Sequence, residues 1–490
     1  CVSGKSQFMA PSGRRRLHPS PVLDPLLLRS AFQQAGVKDV HMSTVWKHII
    51  QSSTAVDFLL KTDDQTWSIL EISCRGLPPA VLQVLRQNFT PCSTRELQWQ
   101  SRNERGSGKM ILELQDGQQI ETVIIEHGGS RPRSTVCVSS QVGCKMGCKF
   151  CATGTMGLRA QLTAGEILEQ LLHARRRVRH EAPLRNVVFM GMGEPLDNYQ
   201  QVTASLQVMG DASGFGLAMK NITLSTVGVP DKIVQLAHDC PGVKLALSLH
   251  APAQELRAHI VPSARGNSLH RIMEAVDEYC ELTSGNQVMM EYVLIEGTNA
   301  SESNAHALGS LLASCRGVTI LNIIPYNPTI IGDEHGFCSP SNDKCKKFRD
   351  IVASYRRVLD APGSQKSADA RAGAPIVCTI RWSTTAGQRN NSACGQLAVE
   401  VAARSSPPMK SGRHSNHKHT STEGKPDVIR DIEDQGKIHE GLSLSKAQDS
   451  PMVGPIGKRH ELAGWMRTRS VRMISAMSFV VAFGFLLLRK

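Results

Sequence analysis

Hydrophobic and polar positions change rhythm near residue 134 of this 490-residue chain. Before that point, residues 22–105 hold amphipathic runs, Asp24–Ala35 and Val45–Lys61, separated by polar breaks. Apolar residues at three- and four-residue spacing predict helices that cover a core on one side. The stretch ends in Arg95, Trp99, Arg102 and Arg105, so it reads as a small N-terminal helical domain with a basic edge. Residues 106–133 alternate instead. Lys109–Leu114 and Gln119–Ile125 flank Gln115-Asp116-Gly117, which predicts a β-hairpin linker.

Over 134–403 short apolar runs alternate with longer amphipathic ones. Strands are predicted at Thr135–Ser139, Asn186–Met190, Asn221–Ser225, Val243–Leu249, Val288–Ile295 and Val318–Ile324, with a further run at Ile376–Trp382. Helices are predicted at Thr163–Arg179, Tyr199–Asp211, Asp231–His238, Ser268–Thr283, Ser303–Cys315 and Ser341–Leu359. Repeated β-then-α units imply parallel strands and an open or closed α/β barrel, whose chemistry sits at the C-terminal strand ends. Residues 361–374 look like a flexible insertion before the last strand.

The ends of the chain differ from this core. Residues 1–21 read as disordered or as the remnant of a targeting segment. The chain starts at Cys1, and Ser12-Gly13-Arg14-Arg15-Arg16 suits the end of a targeting peptide, so part of the N-terminus is expected to be missing. Residues 404–473 form a polar tail expected to be disordered, with no metal site at His414, His417 and His419. Within 474–490, Ile474–Leu488 is apolar, but at about 22 Å as a helix it falls short of a ~30 Å hydrocarbon core. A short tail anchor, an interfacial helix and an extended reading frame are the three readings. Membrane contact is not the expected one.

A net charge of +13 favours a polyanionic partner such as RNA, with Arg175-Arg176-Arg177-Val178-Arg179 as either a phosphate contact or a solvated helix end. Aromatic residues make up only 4% of the chain, so shape and charge rather than stacking platforms would carry RNA affinity. The chain has 14 cysteines without disulfide-like spacing, which argues for a reducing compartment and against a secreted scaffold.

Cys144, Cys148 and Cys151 form a C-x3-C-x2-C run directly after the first barrel strand. A zinc site would pair a second short hook or add histidines, and neither follows. Three thiolates leave a [4Fe–4S] cube one ligand short, which marks a reactive cluster rather than an electron carrier. The other strand ends of the same rim carry Gly191-Met192-Gly193-Glu194-Pro195, Ser225-Thr226-Val227-Gly228, Ser248-Leu249-His250 and Pro325-Tyr326-Asn327-Pro328. Glycines there admit a ligand to the backbone, and Glu194 can accept from an ammonium group. Cys137 and Cys394 stand outside the cluster motif, where a lone cysteine is ordinarily a small apolar residue.

The cysteine spacing, with Phe150 before the third cysteine, resembles the radical S-adenosylmethionine signature. Together with Gly-Met-Gly-Glu-Pro-Leu, Ser-Leu-His-Ala-Pro and the contexts of Cys137 and Cys394, it resembles the dual-specificity RNA methyltransferases that methylate C2 of adenosine in 23S ribosomal and transfer RNA. The resemblance spans roughly residues 24–400. It implies a partial (β/α)6 TIM-like radical SAM barrel with a small N-terminal helical domain and a disordered C-terminal tail. It implies that Cys144, Cys148 and Cys151 bind the [4Fe–4S] cluster, and that Gly193, Glu194, Ser225, Ser248, Leu249, His250 and Asn327 bind S-adenosylmethionine, two molecules per turnover. Cys394 would be methylated and bond the RNA, Cys137 would resolve that adduct through a disulfide, and Glu121 would accept the C2 proton. Implied partners are RNA and an electron donor such as flavodoxin or ferredoxin, with the protein a monomer in the cytoplasm or, given the N-terminus, in an organelle. The chain departs from the family at Gly387–Ser392, which replaces an acidic stretch before Cys394. Three alternatives stand: methylation at C8 of the same adenosine, a catalytically degenerate iron–sulfur RNA-binding protein, and a barrel hydrolase using Glu194 and His250.

Overall fold

The computed structural model describes residue 15 and residues 17–51, 76–101, 106–283, 288–317, 319–356, 375–382 and 395–397, all within the unit Cys1–Ile429. Residues 1–14, the insertion 361–374, Cys394, the polar tail and the apolar end lie outside them. Among the described residues no helix is long and apolar enough to cross a membrane.

One ten-stranded sheet organises the molecule. Its strands are β1 (Arg95–Ser101), β2 (Gly108–Glu113), β3 (Gln119–His127), β4 (Arg133–Cys137), β5 (Leu184–Phe189), β6 (Ile222–Thr226), β7 (Lys244–Ser248), β8 (Val288–Leu294), β9 (Thr319–Pro325) and β10 (Val377–Ile380). They lie side by side in chain order without closing. β4 to β10 run parallel, so the apolar run at Ile376–Trp382 adds a strand to the six-unit barrel. β1 to β4 are antiparallel.

Helices Ala164–Arg177, Tyr199–Gly210, Pro230–Asp239, Leu269–Leu282, Glu302–Ala313 and Asn342–Ala353 follow the parallel strands where the amphipathic runs predicted them. Their starts are set by caps: Thr163 and Glu166 form a reciprocal capping box, and Ser268, Ser301 and Ser341 each accept a backbone N–H of the first turn. Strand residues facing the helices, such as Val136, Val187, Leu224, Leu245, Leu247 and Met290, are fully buried. Their neighbours on the inner face include Ser225, Ser248, Glu291 and Asn322, so alternation separates an apolar outer layer from a polar inner wall.

The N-terminal region differs from expectation. Helices Pro25–Gln34, Val40–Gln51 and Pro79–Asn88 are present, the first capped by Asp24, which accepts from Leu26 and Leu27 at 2.9 and 3.0 Å. Leu23, Leu28 and Phe32 nevertheless join the same core cluster as the barrel, so these helices do not form a separate core. Arg95 and Trp99 lie on β1 of the main sheet rather than on a helical edge. The hairpin turns at Leu114–Gly117, with Gly117 at φ 81° and Leu114 N–H bonded to Gln118 O at 2.7 Å. Its strands β2 and β3 carry the ladder between β1 and β4, which makes the hairpin part of the barrel wall rather than a linker. Arg15 pairs with Asp116 at 2.8 Å and buried Glu166 at 2.5 Å, and Ser20–Pro21 pairs with Phe89–Thr90. Arg15 and Ser20–Pro21, within the segment 1–21 expected to be loose, are therefore tied to the core.

Candidate functional site

The cysteine loop is a closed structure. Gln141–Cys144 pairs antiparallel with Gly157–Gln161, so the residues between them leave and re-enter on one ribbon. Gly143 has φ 73°, and a Cβ there would sit 1.9 Å from Gly157 O, which only glycine avoids. Lys149 N–H donates to Ile260 O at 3.0 Å and Ala152 N–H to Gly395 O at 2.8 Å. Cys144 and Cys148 are buried and Cys151 half-buried.

All three cysteines line one cavity at the C-terminal ends of the parallel strands. Burial, aided by the neighbouring Glu194, Cys151 and Asp197 charges, pushes the Cys144 thiol up to about 12. Cys148 is also pushed up, by burial and then by Cys151, Cys144 and Glu194, with Arg257 opposing. The Cys144 and Cys148 thiols are raised in part by their cysteine neighbours, whereas Cys151 is raised by burial alone. Coordination to iron would remove these protons outright. The donors thus fit a three-cysteine cluster with one iron open to a ligand.

Beside the thiols lies the end of β5. A Cβ at Gly191 would meet Val138 O at 2.6 Å, and Gly193, at φ 106°, packs on Gln141. Glu194 is buried, its oxygens accepting from Leu196 N at 3.0 Å and Val227 N at 2.9 Å. Burial outweighs those bonds and holds its carboxyl up at about 7. An ammonium ligand would offset that penalty. Ser225 and Ser248 approach at 3.4 Å through their hydroxyls. His250, in the left-handed region at φ 59°, accepts Val293 N–H at its Nδ1 at 3.1 Å. Burial, with the Arg257 charge, lowers its imidazole to about 3, so it is neutral. Phe150 meets this ring edge-on at 4.7 Å.

Gly193, Glu194, Ser225, Ser248 and His250 therefore share the cavity wall with Cys144, Cys148 and Cys151. Leu249 and Asn327 are buried but are not on that wall. The Leu249 backbone is engaged by Glu291 O and Arg257 Nε, each at 3.0 Å.

Glu121 and Cys137 sit on the inner face of the sheet, away from the cavity lining. Register places Val123 opposite Cys137, and Glu121 two residues along the same face. Glu121 is 1% exposed and contacts Lys109 Nζ at 3.0 Å. Buried Gln170 braces the junction. It accepts from Thr122 Oγ1 and Ser139 N and donates to Ser139 O, each at 2.8 Å. Cys394 lies outside the described residues, but its chain neighbour Gly395 lines the cavity. Thr153 Oγ1 donates to Leu397 O, and Gln396 Nε2 to Pro328 O at 3.0 Å.

The arginine run is partly tied into the protein, with Arg177 and Arg179 still 39% and 47% exposed. Arg175 donates to Ile50 O at 2.8 Å, Arg177 pairs with Glu96, and Arg179 pairs with Glu126 at 2.5 Å. Sequence reasoning missed Arg257, fully buried, which donates through Nη2 to Ser248 O at 3.1 Å and also to Val227 O. Nothing in an amphipathic helix of a basic chain singles it out. It also missed Glu291 on β8, which a charge inside an otherwise apolar run could have flagged.

Comparison with known proteins agrees with this geometry. The Radical SAM superfamily model matches residues 138–307. A protein of Nitrosopumilus maritimus described as "Ribosomal RNA large subunit methyltransferase N" is 37% identical over 66% of this chain and 87% of its own length. The "Dual-specificity RNA methyltransferase RlmN 1" of Myxococcus xanthus is 40% identical over 67% of this chain and 84% of its own. A crystal structure of a radical SAM methyltransferase from Sphaerobacter thermophilus matches with a TM-score of 0.63 and 32% identity, over 77% of this chain and 99% of that one.

Proposed function

The chain belongs to the RlmN family of RNA methyltransferases, and we propose that it methylates C2 of an adenosine in large-subunit ribosomal RNA and in transfer RNA. One observation carries the reading. Cys144, Cys148, Cys151, Gly193, Glu194, Ser225, Ser248 and His250 converge on a single cavity that Gly395, next to Cys394, also lines.

Adenine C2 is electron-poor and offers no lone pair to a methyl sulfonium, so polar displacement alone does not reach it. When bound, the [4Fe–4S] cluster and S-adenosylmethionine supply an electrophilic methyl group and a hydrogen-abstracting carbon radical, at two molecules of the latter cofactor per turnover. Cys144, Cys148 and Cys151 hold the cluster. Glu194 accepts the cofactor's ammonium group, and the Ser225 and Ser248 hydroxyls and the Gly193 backbone fix its remaining polar atoms. Neutral His250 shapes the wall against Phe150. Leu249 and Asn327 support the loops behind it.

Cys394, as a thiolate nucleophile, would take the methyl carbon with S-adenosylhomocysteine as the leaving group. It would bond that carbon to C2 of the RNA once the carbon has lost one hydrogen atom to the cofactor-derived radical, the adduct then returning one electron to the cluster. Glu121 removes the C2 proton, its charge balanced by Lys109. Cys137 would then attack the Cys394 sulfur to form a disulfide; the electron pair of the broken sulfur–carbon bond passes to the carbon, which takes up a proton as the methylated base leaves. Cys137 and Glu121 share the inner face of the sheet, the face that Cys394 would have to reach for this exchange. A flavodoxin- or ferredoxin-type donor supplies the electron, and a reductant reopens the disulfide.

The test is mass spectrometry of nucleosides from RNA incubated with anaerobically reconstituted protein, S-adenosylmethionine and reductant, beside Cys394→Ala. 2-Methyladenosine from the parent chain alone supports the reading. 8-Methyladenosine would move the reaction to the other ring carbon. A formed cluster without methylated adenosine would argue for lost activity.

A further inference from the structure

Beyond Ser248, the inner wall of the sheet carries a polar row that these roles leave unused. Register aligns Ser248 of β7 with Glu291 of β8, Glu291 with Asn322 of β9, and Asn322 with Thr379 of β10. Arg381 follows two residues on from Thr379, on the same face. Thr379 Oγ1 donates to Asn322 Oδ1 at 3.3 Å, which turns the amide so that Nδ2 donates to Glu291 Oε2 at 2.9 Å. The other carboxylate oxygen, Oε1, is buried without a hydrogen-bond partner, although Glu291 lines the cavity at 4% exposure. Burial holds this carboxyl up at about 6, with the Arg381 charge and the Asn322 bond pulling it down. Arg381 lines the same wall.

An acceptor sealed from water without a donor is costly unless a ligand supplies one. An oriented acceptor beside a guanidinium complements a ligand edge that presents a donor next to an acceptor. The edge of adenine, N6–H₂ beside N7, is of that kind. Two adenines enter this cavity in the proposed reaction, one on the cofactor and one in the RNA.

We propose that Glu291 and Arg381, with Asn322 and Thr379 orienting the carboxylate, form a subsite that reads the amino edge of an adenine base. The subsite rests on the methyltransferase reading. Recognition through N6 and N7 leaves C2 on the far side of the ring free to react.

Glu291→Gln tests it, because Asn322 holds one oxygen and the new amide then presents N–H to the cavity. Reconstituted full-length protein is given RNA with adenosine or purine riboside, which lacks the amine, at the target position. In parallel, binding of S-adenosylhomocysteine and of its inosine analogue is measured by calorimetry. If the RNA base is read, the parent prefers adenosine at least tenfold in kcat/KM and Glu291→Gln brings the ratio near one. If the cofactor base is read, Glu291→Gln weakens S-adenosylhomocysteine at least tenfold and spares the inosine analogue. Either result supports the subsite and assigns its base. A variant that folds and binds iron like the parent, with neither change, overturns it. Asn322→Ala, which keeps the carboxylate but frees it to rotate, is the second variant and is expected to move the same ratio in the same direction. Absence of methyladenosine from the parent itself would sink the methyltransferase reading; the subsite is then decided by the calorimetric comparison together with the affinities of the adenosine- and purine riboside-containing RNAs, which need no turnover.

Discussion

Phe150 and His250 meet edge to face, with ring centroids 4.7 Å apart and planes 73° apart. The contact ties the cysteine loop to the end of β7, so thiols and cofactor wall are held by one aromatic pair. Phe150→Ala is expected to cost about 2–4 kcal/mol, as large buried truncations do. Chemical denaturation measures the loss. Iron per chain after reconstitution should fall with it, and full iron content with unchanged stability would show that the pair does not position the loop.

Glu194 gives a pH signature. With its carboxyl up at about 7 in the empty protein, it binds a proton more tightly than in the unfolded chain. Its contribution to stability is therefore fully present below the ordinary carboxylate range and is lost as pH rises through about 7. Glu169, also near 7 through burial, shares that window, so a melting curve does not separate them. Ligand binding does. Affinity for S-adenosylhomocysteine should rise with pH up to about 7 with release of a proton, and Glu194→Gln should flatten the profile. Calorimetry in buffers of different ionisation enthalpy counts the proton.

Gly143→Ala places a Cβ 1.9 Å from Gly157 O at φ 73°. The ribbon closing the cysteine loop cannot accommodate it. Iron-dependent absorbance should be lost while the far-ultraviolet circular dichroism of the barrel is kept. Retention of a full cluster would show that the ribbon is not needed.

Gln170→Leu removes the bridge between Thr122 and both backbone groups of Ser139. Leaving these groups buried without partners is expected to cost about 2–4 kcal/mol. Because β3 carries Glu121 and β4 carries Cys137, methyl transfer should fall more than cofactor binding does. Comparing denaturation midpoint, calorimetric affinity and turnover checks both parts.

The arginines of the helix end are engaged within the protein. Arg177→Ala and Arg179→Ala are expected to leave the salt dependence of RNA binding unchanged. A slope reduced by about one per substitution would place that arginine on a phosphate instead.

The barrel was legible because its parallel strands are buried on both faces, so runs such as Val288–Ile295 stand out unbroken and their ends fall within a few residues of expectation. β1 was not. Most of Arg95–Ser101 is open to solvent, and a bulge at Glu96/Gln98 interrupts its alternation, so its charges read as a basic edge. The cysteine triad and five of the other residues that line the cavity were visible from motif residues at strand ends. Arg257 and the Glu291–Asn322–Thr379 row were not, because their arrangement exists only once distant strands are in register.

The clasp between Thr153 and Leu397 joins residues 244 apart in the chain. On a growing polypeptide, the cysteine loop is complete long before its cover has been made. The side of the loop that Gly395 and Leu397 later occupy stays open during that interval, and it closes only when the last part of the barrel docks. Assembly of this site therefore has a direction in time: thiols first, lid last.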